Sequence, residues 1–250
     1  MIEPSGCLYV LATPIGHLGD LTLRALETLR EADAIYAEDT RHTGLLLRHY
    51  GISRPLISCH QHNEVKRIPE ILERLQRGEQ VVLATDAGTP GVSDPGLRVV
   101  EAVLKAGGRV SPLPGPSAVT AALSVAGFPA SPFAFAGFLP RKKGPQKRAL
   151  QMWKDVGVTL VLFEAAPRLL RLLENAMEVY GREHQGTVAR ELTKKFEEVR
   201  RGTLEDLYRH YEKEEPRGEC TVVLGPISKE IGPNTKGASE GAGGQPGQPG

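Results

Sequence analysis

Cysteine is scarce in this chain, and its distribution excludes several classes of protein. The 250 residues include only three cysteines, Cys7, Cys59 and Cys220. Their odd number and wide separation argue against the disulfide framework of a small secreted domain, and no two have the close spacing of a zinc site. We therefore expect all three to be reduced thiols packed in the interior.

Long apolar segments and a targeting signal are also missing. No apolar run approaches the roughly 20 residues that a helix needs to cross a bilayer. The opening residues, from Met1 to Ser5, lack the basic and apolar regions of a secretory signal. These absences predict a soluble protein of the cytoplasm with no membrane partner.

Neither sign of charge dominates, so the net charge points to no class of partner. Lys and Arg together number 31 against 30 for Asp and Glu, which gives a formal net charge of +1. Only local clusters of charge can therefore indicate a nucleic acid. With 40% hydrophobic residues, a chain of 250 residues is long enough to bury one large core or two medium-sized ones.

Small residues and prolines dominate the stretch from Asp86 to Gly96. It reads Asp-Ala-Gly-Thr-Pro-Gly-Val-Ser-Asp-Pro-Gly, between an apolar, strand-like segment at 81–84 and a helix-like one at 97–106. Prolines stiffen such a loop, and glycines let main-chain amides and carbonyls touch a ligand. In open α/β sheets, ligands bind beyond the carboxyl ends of the strands, where we expect this loop to lie. The loop suits a nucleotide or an adenosyl group, but by itself it does not identify the ligand.

A strand, a Gly/Pro turn and a helix follow one another three times in the first half of the chain. The strand-like segments cover residues 6–13, 81–84 and 109–113. Repeated βα units of this kind predict an α/β fold whose mostly parallel sheet carries its site along one edge. Asp20 is the predicted cap of the first helix, and Ser117 is the predicted cap of the helix that ends near Ala126.

The composition changes at residues 127–132, where Gly-Phe-Pro-Ala-Ser-Pro is typical of a linker. We predict a first α/β domain over residues 1–127, which contains the central Gly/Pro-rich loop, and a second α/β domain over residues 128–230. Beyond Ile231 the chain is rich in Gly, Pro and Gln and has too few apolar residues to pack. Residues 231–250 are therefore predicted to be a disordered tail.

Two polar clusters follow short strands of the first half. The first reads Glu38-Asp-Thr-Arg-His42, and two acids, an Arg and a His are unusual for a mere turn. The second contains His60 and His62, which resemble half of a metal site. No third ligand stands nearby at a useful spacing, so we predict no metal.

Five of the eight residues at 141–148 are basic: Arg141, Lys142, Lys143, Lys147 and Arg148. The run contains no acid, and its glycine and proline predict a loop. A basic run is usually a solvated face, but one without acids can equally bind phosphates. Both interpretations stay open on the local sequence, and the second makes these five residues candidates for RNA contact.

Six motifs in order closely resemble those of one family. They are Leu11-Ala-Thr-Pro-Ile-Gly-His-Leu-Gly-Asp20, Ala37-Glu-Asp-Thr-Arg-His-Thr43, Thr85-Asp-Ala-Gly-Thr-Pro-Gly-Val-Ser-Asp-Pro-Gly96, Leu113-Pro-Gly-Pro-Ser117, Gly137-Phe-Leu-Pro140 and Ala189-Arg-Glu-Leu-Thr-Lys194. The chain resembles, over residues 8–225, the bacterial small-subunit ribosomal RNA cytidine 2′-O-ribose methyltransferases of the tetrapyrrole-methylase superfamily, which use S-adenosylmethionine. At position 17 that family usually carries Asn, where this chain has His17.

This resemblance implies two α/β domains of the tetrapyrrole-methylase type, with the methyl donor in the cleft between them, and a homodimer. It implies ribosomal RNA or the small ribosomal subunit as the partner. By the family's pattern, the residues that contact S-adenosylmethionine are Pro14, Asp86, Ala87, Gly88, Thr89, Pro90, Ser93, Ser117, Ala118, Leu139, Ala189 and Glu219. The chain lacks the Gly-x-Gly-x-Gly loop of the common Rossmann methyltransferases, so a different cofactor geometry is expected.

Methyl transfer to a ribose hydroxyl needs alignment of oxygen, methyl and sulfur, and removal of the hydroxyl proton. It requires no metal, because the leaving group is a neutral thioether. Asp39 and Glu191 are the predicted catalytic acids, although an acid beside an Arg is more often a structural ion pair.

Two other functions share this fold. A methyltransferase for a corrin or porphyrin precursor is expected to carry a shorter Gly-Asp-Pro central loop and a Gly-x-Gly-Pro-Gly first turn, which this chain does not have. A catalytically silent nucleotide-binding protein would keep the cleft, but the full set of intact loops argues against it.

Overall fold

The computed structural model describes residues 6–227 and contains two five-stranded sheets with helices packed on them. The tail at 231–250, which we predicted to be disordered, lies outside the described residues. None of the helices within residues 6–227 is long and apolar enough to cross a membrane. All three cysteines are free and buried, as their spacing predicted.

The first sheet is entirely parallel, with the strand order β3-β2-β4-β1-β5. Its strands are β1 (Cys7–Leu11), β2 (Ala34–Ala37), β3 (Leu56–Ser58), β4 (Gln80–Ala84) and β5 (Arg109–Leu113). Its helices are α1 (Leu23–Glu31), α2 (Thr40–His49), α3 (Glu64–Gln76), α4 (Leu97–Lys105) and α5 (Ala118–Ala126). The predicted parallel sheet is confirmed, and parallel pairing brings the carboxyl ends of the strands to one edge.

Burial explains why these segments form strands. Leu8 and Leu11 of β1 face opposite sides of the sheet, and both are fully buried beneath helices. A parallel sheet covered on both faces needs such continuous apolar strands.

One predicted helix cap is wrong: Thr22, not Asp20, caps α1, because its hydroxyl accepts from Ala25 N–H at 3.2 Å. Asp20 instead closes a short 3₁₀ turn just before it.

The second sheet is mixed, with the order β6-β7-β10-β8-β9, and only the β6/β7 pair is parallel. Its strands are β6 (Phe133–Phe138), β7 (Thr159–Ala165), β8 (Gln185–Arg190), β9 (Glu198–Thr203) and β10 (Glu219–Leu224). Its helices are α6 (Lys143–Val156), α7 (Leu169–Tyr180) and α8 (Leu204–Lys213). Their apolar faces share one core with β7, β8 and β10.

Helix α5 connects the two halves of the molecule. Its buried residues Val119 and Leu123 join an apolar cluster with Val161, Ala189 and Val223 of the second sheet. The helix therefore belongs to the first half by sequence and packs against the second. The division into domains at residue 127 stays a prediction.

Candidate functional site

A cavity of about 360 Å³ lies between the carboxyl edge of the first sheet and the second sheet. The loops after β1, β2 and β4 and the start of α5 form one wall. Strands β7, β8 and β10 and the end of β6 form the other wall. The cavity thus gathers residues from all six sequence motifs into one concave site of the kind that binds small molecules.

The central loop, residues 86–96, is held in place by hydrogen bonds at two points. Gly88 exchanges two main-chain hydrogen bonds with Thr13, with N···O distances of 2.8 and 3.1 Å. At the far end, Gly96 N–H donates at 3.2 Å to the carboxylate of Glu64, which is only 5% exposed and is paired with Arg98. The loop is therefore a rigid part of the wall, not a mobile cover.

Ser93 and Gly137 mark the point where the central loop meets the second half of the chain. Ser93 has a φ of +66°, which is uncommon for a residue with a side chain. Gly137 has a φ of +59°, and a Cβ added there would lie 2.7 Å from Ser93 Oγ. Only glycine fits this contact without a shift, so residue 137 sets how closely β6 approaches the loop.

The amino end of α5 presents unclaimed main-chain donors to the cavity. Ser117 is the N-cap, yet its side chain makes no capping hydrogen bond. Ser117, Ala118 and Val119 all line the cavity. Because the first amides of a helix have no intrahelical acceptor, they are available to polar atoms of a ligand.

Aromatic side chains form an apolar part of the opposite wall. Phe138 and Phe163 both line the cavity, and their ring centroids are 5.7 Å apart in an edge-to-face arrangement. Phe135 packs on Phe163 from behind at 4.8 Å. This wall offers a planar ligand group an apolar surface that is held in place by aromatic contacts.

Carboxyl groups dominate the charge of the cavity wall. The acidic residues that line it are Glu38, Asp86, Asp94, Glu164, Glu191 and Glu219. Lys194 contacts Glu191 and Glu219, each at 2.9 Å, and Arg168 contacts Glu164 at 2.6 Å. Within residues 6–227 no cation pairs with the remaining three. The arrangement therefore favours a ligand that brings positive charge.

Nine of the twelve residues predicted to contact the methyl donor line this one cavity. They are Asp86, Ala87, Gly88, Thr89, Ser93, Ser117, Ala118, Ala189 and Glu219. Pro14 and Pro90 are instead buried beside the loops that they stiffen, and Leu139 packs against the core of the second sheet. The structure brings together residues up to 133 positions apart in the chain, from Asp86 to Glu219.

Asp39 and Glu191, the two predicted catalytic acids, are both engaged by neighbouring cations. Asp39 caps α2 and is hydrogen-bonded to Arg41 through both side chain and main chain, which holds its pKa well below the usual range. Burial alone would raise the pKa of Glu191, but hydrogen bonds from Lys194 and Glu219 N–H outweigh it and lower the pKa. Both are poor proton acceptors, and their catalytic role stays a prediction.

Several cavity residues were not among the predicted site residues, and Asp94 is the one of them that lies near the middle of the acidic cluster, within the central loop. It lines the cavity beside Glu38 and Asp86. Burial, followed by the nearby charges of Glu38, Asp86 and Glu219, raises its pKa to about 7. The sequence shows an acid at this position but not that the turn at Ser93 directs it inward.

The predicted loop at residues 141–148 is partly wrong, because α6 begins at Lys143. Pro145 lies in the first turn of this helix, where a missing N–H leaves no hydrogen bond unmade. Lys143 contacts Glu178 at 2.8 Å, and Lys147 also pairs with Glu178. Arg141, Lys142 and Arg148 are exposed, and within the described chain no acid pairs with them.

The chain matches the family model of Tetrapyrrole (Corrin/Porphyrin) Methylases over residues 7–208. It is 48% identical to a Mesorhizobium japonicum protein named ribosomal RNA small subunit methyltransferase I, over 90% of this chain and 76% of that protein. It is 47% identical to the Thermotoga maritima protein of the same name, over 88% of this chain and 98% of that one.

Among solved structures, the uroporphyrin-III-C-methyltransferase of Thermus thermophilus has the same fold, with a TM-score of 0.60. It shares 23% identity, over 89% of this chain and 93% of that one, and at this level the likeness concerns the fold alone. The two named relatives are about twice as similar in sequence. The chain therefore belongs to the tetrapyrrole methylases and, within them, to the family of ribosomal RNA small subunit methyltransferase I.

Proposed function

We propose that this protein uses S-adenosylmethionine to methylate the ribose 2′-hydroxyl of a cytidine in small-subunit (16S) ribosomal RNA. The observation that carries the proposal is the cavity between the two sheets, in which Glu38, Asp86 and Asp94 have no cationic partner among residues 6–227. The names of the relatives at 47–48% identity support the choice of acceptor.

The residues of the cavity fit the donor part by part. Phe138 and Phe163 suit a flat apolar base, and the free amides of Ala118 and Val119 suit an anionic or hydroxyl oxygen. The unpaired carboxyls suit the sulfonium and ammonium charges. When bound, S-adenosylmethionine supplies a methyl group on a positively charged sulfur.

The contribution of the protein is then alignment, exclusion of water and proton handling. The central loop and α5 hold one side of the cavity, and Phe138 and Phe163 give the other side an apolar surface from which a bound donor would displace water. Holding two reactants in line is worth several kcal/mol, on the order of 7 or more, in well-oriented systems. Asp39 and Glu191 are proposed to position the acceptor ribose, because their ion pairs hold both carboxylates beside the cavity.

RNA contact is proposed for the basic run, Arg141, Lys142, Lys143, Lys147 and Arg148. The structure divides these cations into two sets: Glu178 pairs with Lys143 and Lys147, whereas no acid among residues 6–227 pairs with the other three. Each phosphate contact to a single strand changes the slope of log affinity against log salt by about 0.7.

A triple replacement of Arg141, Lys142 and Arg148 by Ala tests that contact. The expected result is weaker RNA binding and a salt slope flatter by about two, with S-adenosylmethionine affinity unchanged. Lys154→Ala is the matched control, because Lys154 is on the same helix and its Nζ donates to Val179 O at 2.6 Å. If the triple variant binds RNA with the parent's affinity and the parent's salt slope, the basic run is only a solvated surface.

A corrin or porphyrin acceptor is the alternative, and the solved structures named for such substrates share the fold. Their identity to this chain is 23% or lower, which supports no choice of substrate. The central loop here reads Asp86-Ala-Gly-Thr-Pro90, not the shorter Gly-Asp-Pro form. Ribosomal RNA therefore remains the proposed acceptor. We also propose that the protein is cytoplasmic and forms a homodimer.

Transfer of labelled methyl from S-adenosylmethionine tests the function directly. Purified protein is offered small ribosomal subunits from cells that lack it, naked small-subunit RNA, and uroporphyrinogen as the competing acceptor. We expect label in RNA at a 2′-O-methylcytidine and none in the tetrapyrrole. Label only in the tetrapyrrole, or in no acceptor, would refute the proposal.

A further inference from the structure

Asp94 differs from the other acids of the cavity in having no partner in the part of the chain that the structure describes. Within residues 6–227 neither a cation nor a hydrogen-bond donor offsets its charge. Asp86, by comparison, accepts from Asp39 N–H at 3.0 Å, and Glu38 accepts from Asp86 N–H at 3.4 Å. Asp94 is half-buried, and a partly desolvated carboxylate without a partner is costly, so a function explains its position better than a structural role.

The backbone around Asp94 is built to hold that position. Ser93, just before it, adopts the left-handed region at φ +66°, where a residue with a side chain is strained. Ser93 in turn contacts Gly137, and Gly91 N–H donates to Pro95 O at 3.0 Å across the turn. Backbone strain that the surrounding structure enforces is typical of functional sites.

All titratable groups near Asp94 must be considered together. Those lining the cavity with it are Glu38 after β2, Asp86 after β4, Glu164 on β7, Glu191 and Lys194 after β8, and Glu219 and Cys220 on β10. Burial raises the pKa of the Cys220 thiol, so it carries no charge. The single ammonium is shared between Glu191 and Glu219. Asp94 therefore faces like charges, which favour its neutral form until positive charge arrives.

We propose that Asp94 is the proton acceptor for the ribose hydroxyl, and that entry of the cationic methyl donor primes it by driving off the proton it holds in the free protein. This inference rests on the function proposed above. It assigns proton removal to a residue that is separate from the predicted acids Asp39 and Glu191.

The O–H bond of the acceptor breaks and its proton moves to a carboxylate oxygen of Asp94. The oxygen uses the freed electron pair to bond the methyl carbon, while the carbon–sulfur pair stays on sulfur and gives a neutral thioether. The loss of positive charge on sulfur then restores the conditions under which Asp94 retains a proton.

The pKa of Asp94, raised to about 7, supports both parts of the inference. A group with that pKa is about half protonated at pH 7, so it has a proton to lose when a sulfonium binds. An opposite charge nearby lowers the pKa of a carboxyl, and the carboxylate is then ready to accept the hydroxyl proton. General bases with pKa values near the working pH are the most effective.

Calorimetry of donor binding tests the priming without relying on turnover. The binding enthalpy of S-adenosylmethionine at pH 7 is measured in three buffers of different ionisation enthalpy, which gives the number of protons released. We expect S-adenosylmethionine to release up to about half a proton more than S-adenosylhomocysteine. The two ligands carry the same amino acid group, so the difference reports the charge on sulfur.

Asp94→Asn should abolish that difference and lower the single-turnover rate of RNA methylation by about a hundredfold or more, the usual contribution of a general base. Glu101→Gln is the control, because Glu101 is an exposed acid on α4 paired with Lys105. In the parent alone, the difference should be largest below pH 7, midway between the pKa values of Asp94 in the free and the donor-bound protein, and should vanish by pH 9. This result needs no variant.

Three outcomes overturn the inference. If Asp94→Asn keeps the proton difference, or methylates RNA at the parent's rate, Asp94 is not the acceptor and the proposed function stands. If the parent's proton difference does not depend on pH, the priming is wrong. If the parent fails to bind S-adenosylmethionine, both this inference and the proposed function fail.

Discussion

Gly137→Ala is the substitution that most directly tests the contact between the two halves of the cavity wall. The added Cβ would lie 2.7 Å from Ser93 Oγ, and the next nearest atoms are at 3.9 Å. To reach ordinary van der Waals contact at 3.4 Å, the added carbon and Ser93 Oγ must move apart by about 0.7 Å, through a shift of the hydroxyl, of the loop or of β6. The loop carries Ser93 and Asp94, so the cavity changes shape where the donor is proposed to bind.

The free-energy cost of Gly137→Ala has two parts, the strain of a positive φ and the tight contact with Ser93, and a control variant separates them. Placing Ala at a positive φ costs about 1 kcal/mol of folding stability. Forcing an extra carbon into a tight contact costs about 2 kcal/mol more, which corresponds to about a 30-fold loss of donor affinity if the loop yields. Gly157→Ala measures the first part alone, because Gly157 has a φ of +77° and no atom within 4 Å of its added Cβ.

The assay is calorimetric titration with S-adenosylmethionine alongside thermal unfolding. Both variants should lose stability, but only Gly137→Ala should lose affinity. Because Ser93→Ala removes the oxygen in the contact, Gly137→Ala should cost much less in that background, with a coupling of about 2 kcal/mol. Equal donor affinity in the parent and Gly137→Ala would refute the placement of the donor against this loop.

Three further predictions follow from the same geometry. Asp39→Asn and Glu191→Gln should each keep donor affinity and lower the single-turnover rate, and unchanged rates in both would remove them from the site. Arg168→Ala leaves the carboxylate of Glu164, only 3% exposed, without its cation; urea unfolding should show a loss of about 2 to 3 kcal/mol, and a loss under 1 would contradict the buried pair. The folded protein holds the Asp94 proton up to about pH 7, whereas an unfolded Asp releases it near its model value of 3.8. Ionisation of Asp94 therefore opposes folding increasingly as pH rises from about 4 to 7, and Asp94→Asn should be more stable than the parent by about 2 kcal/mol at pH 8 and equal to it at pH 4.

The sequence predicted the first sheet well because its strands are short, apolar and separated by strong turn signals. The structure gives the predicted bounds for β5 and extends the predicted segment at 81–84 by one residue, to Gln80–Ala84. Strand β9 was missed because Glu198–Thr203 is a polar edge strand with two adjacent arginines. Edge strands need no continuous apolar face, and charge along them prevents further pairing, so periodicity carries little information there.

The site was predictable in its residues but not in its geometry. Motifs identified nine cavity residues, since the carboxyl ends of parallel strands meet at one edge. The inward direction of Asp94 depends on the φ of Ser93 and on a contact with Gly137 that lies 44 positions further along the chain. The pairing of Lys143 and Lys147 with Glu178 is likewise a tertiary contact between α6 and α7 that no local pattern shows.

The cavity between the two sheets is proposed to support methyl transfer to a ribose of small-subunit ribosomal RNA. The most direct test is mass mapping of methylated nucleosides in that RNA, from cells with the protein, without it, and with Gly137→Ala in its place. We predict one 2′-O-methylcytidine that is present with the parent, absent without the protein and reduced with the variant. An unchanged set of methylated nucleosides in cells without the protein would contradict the account.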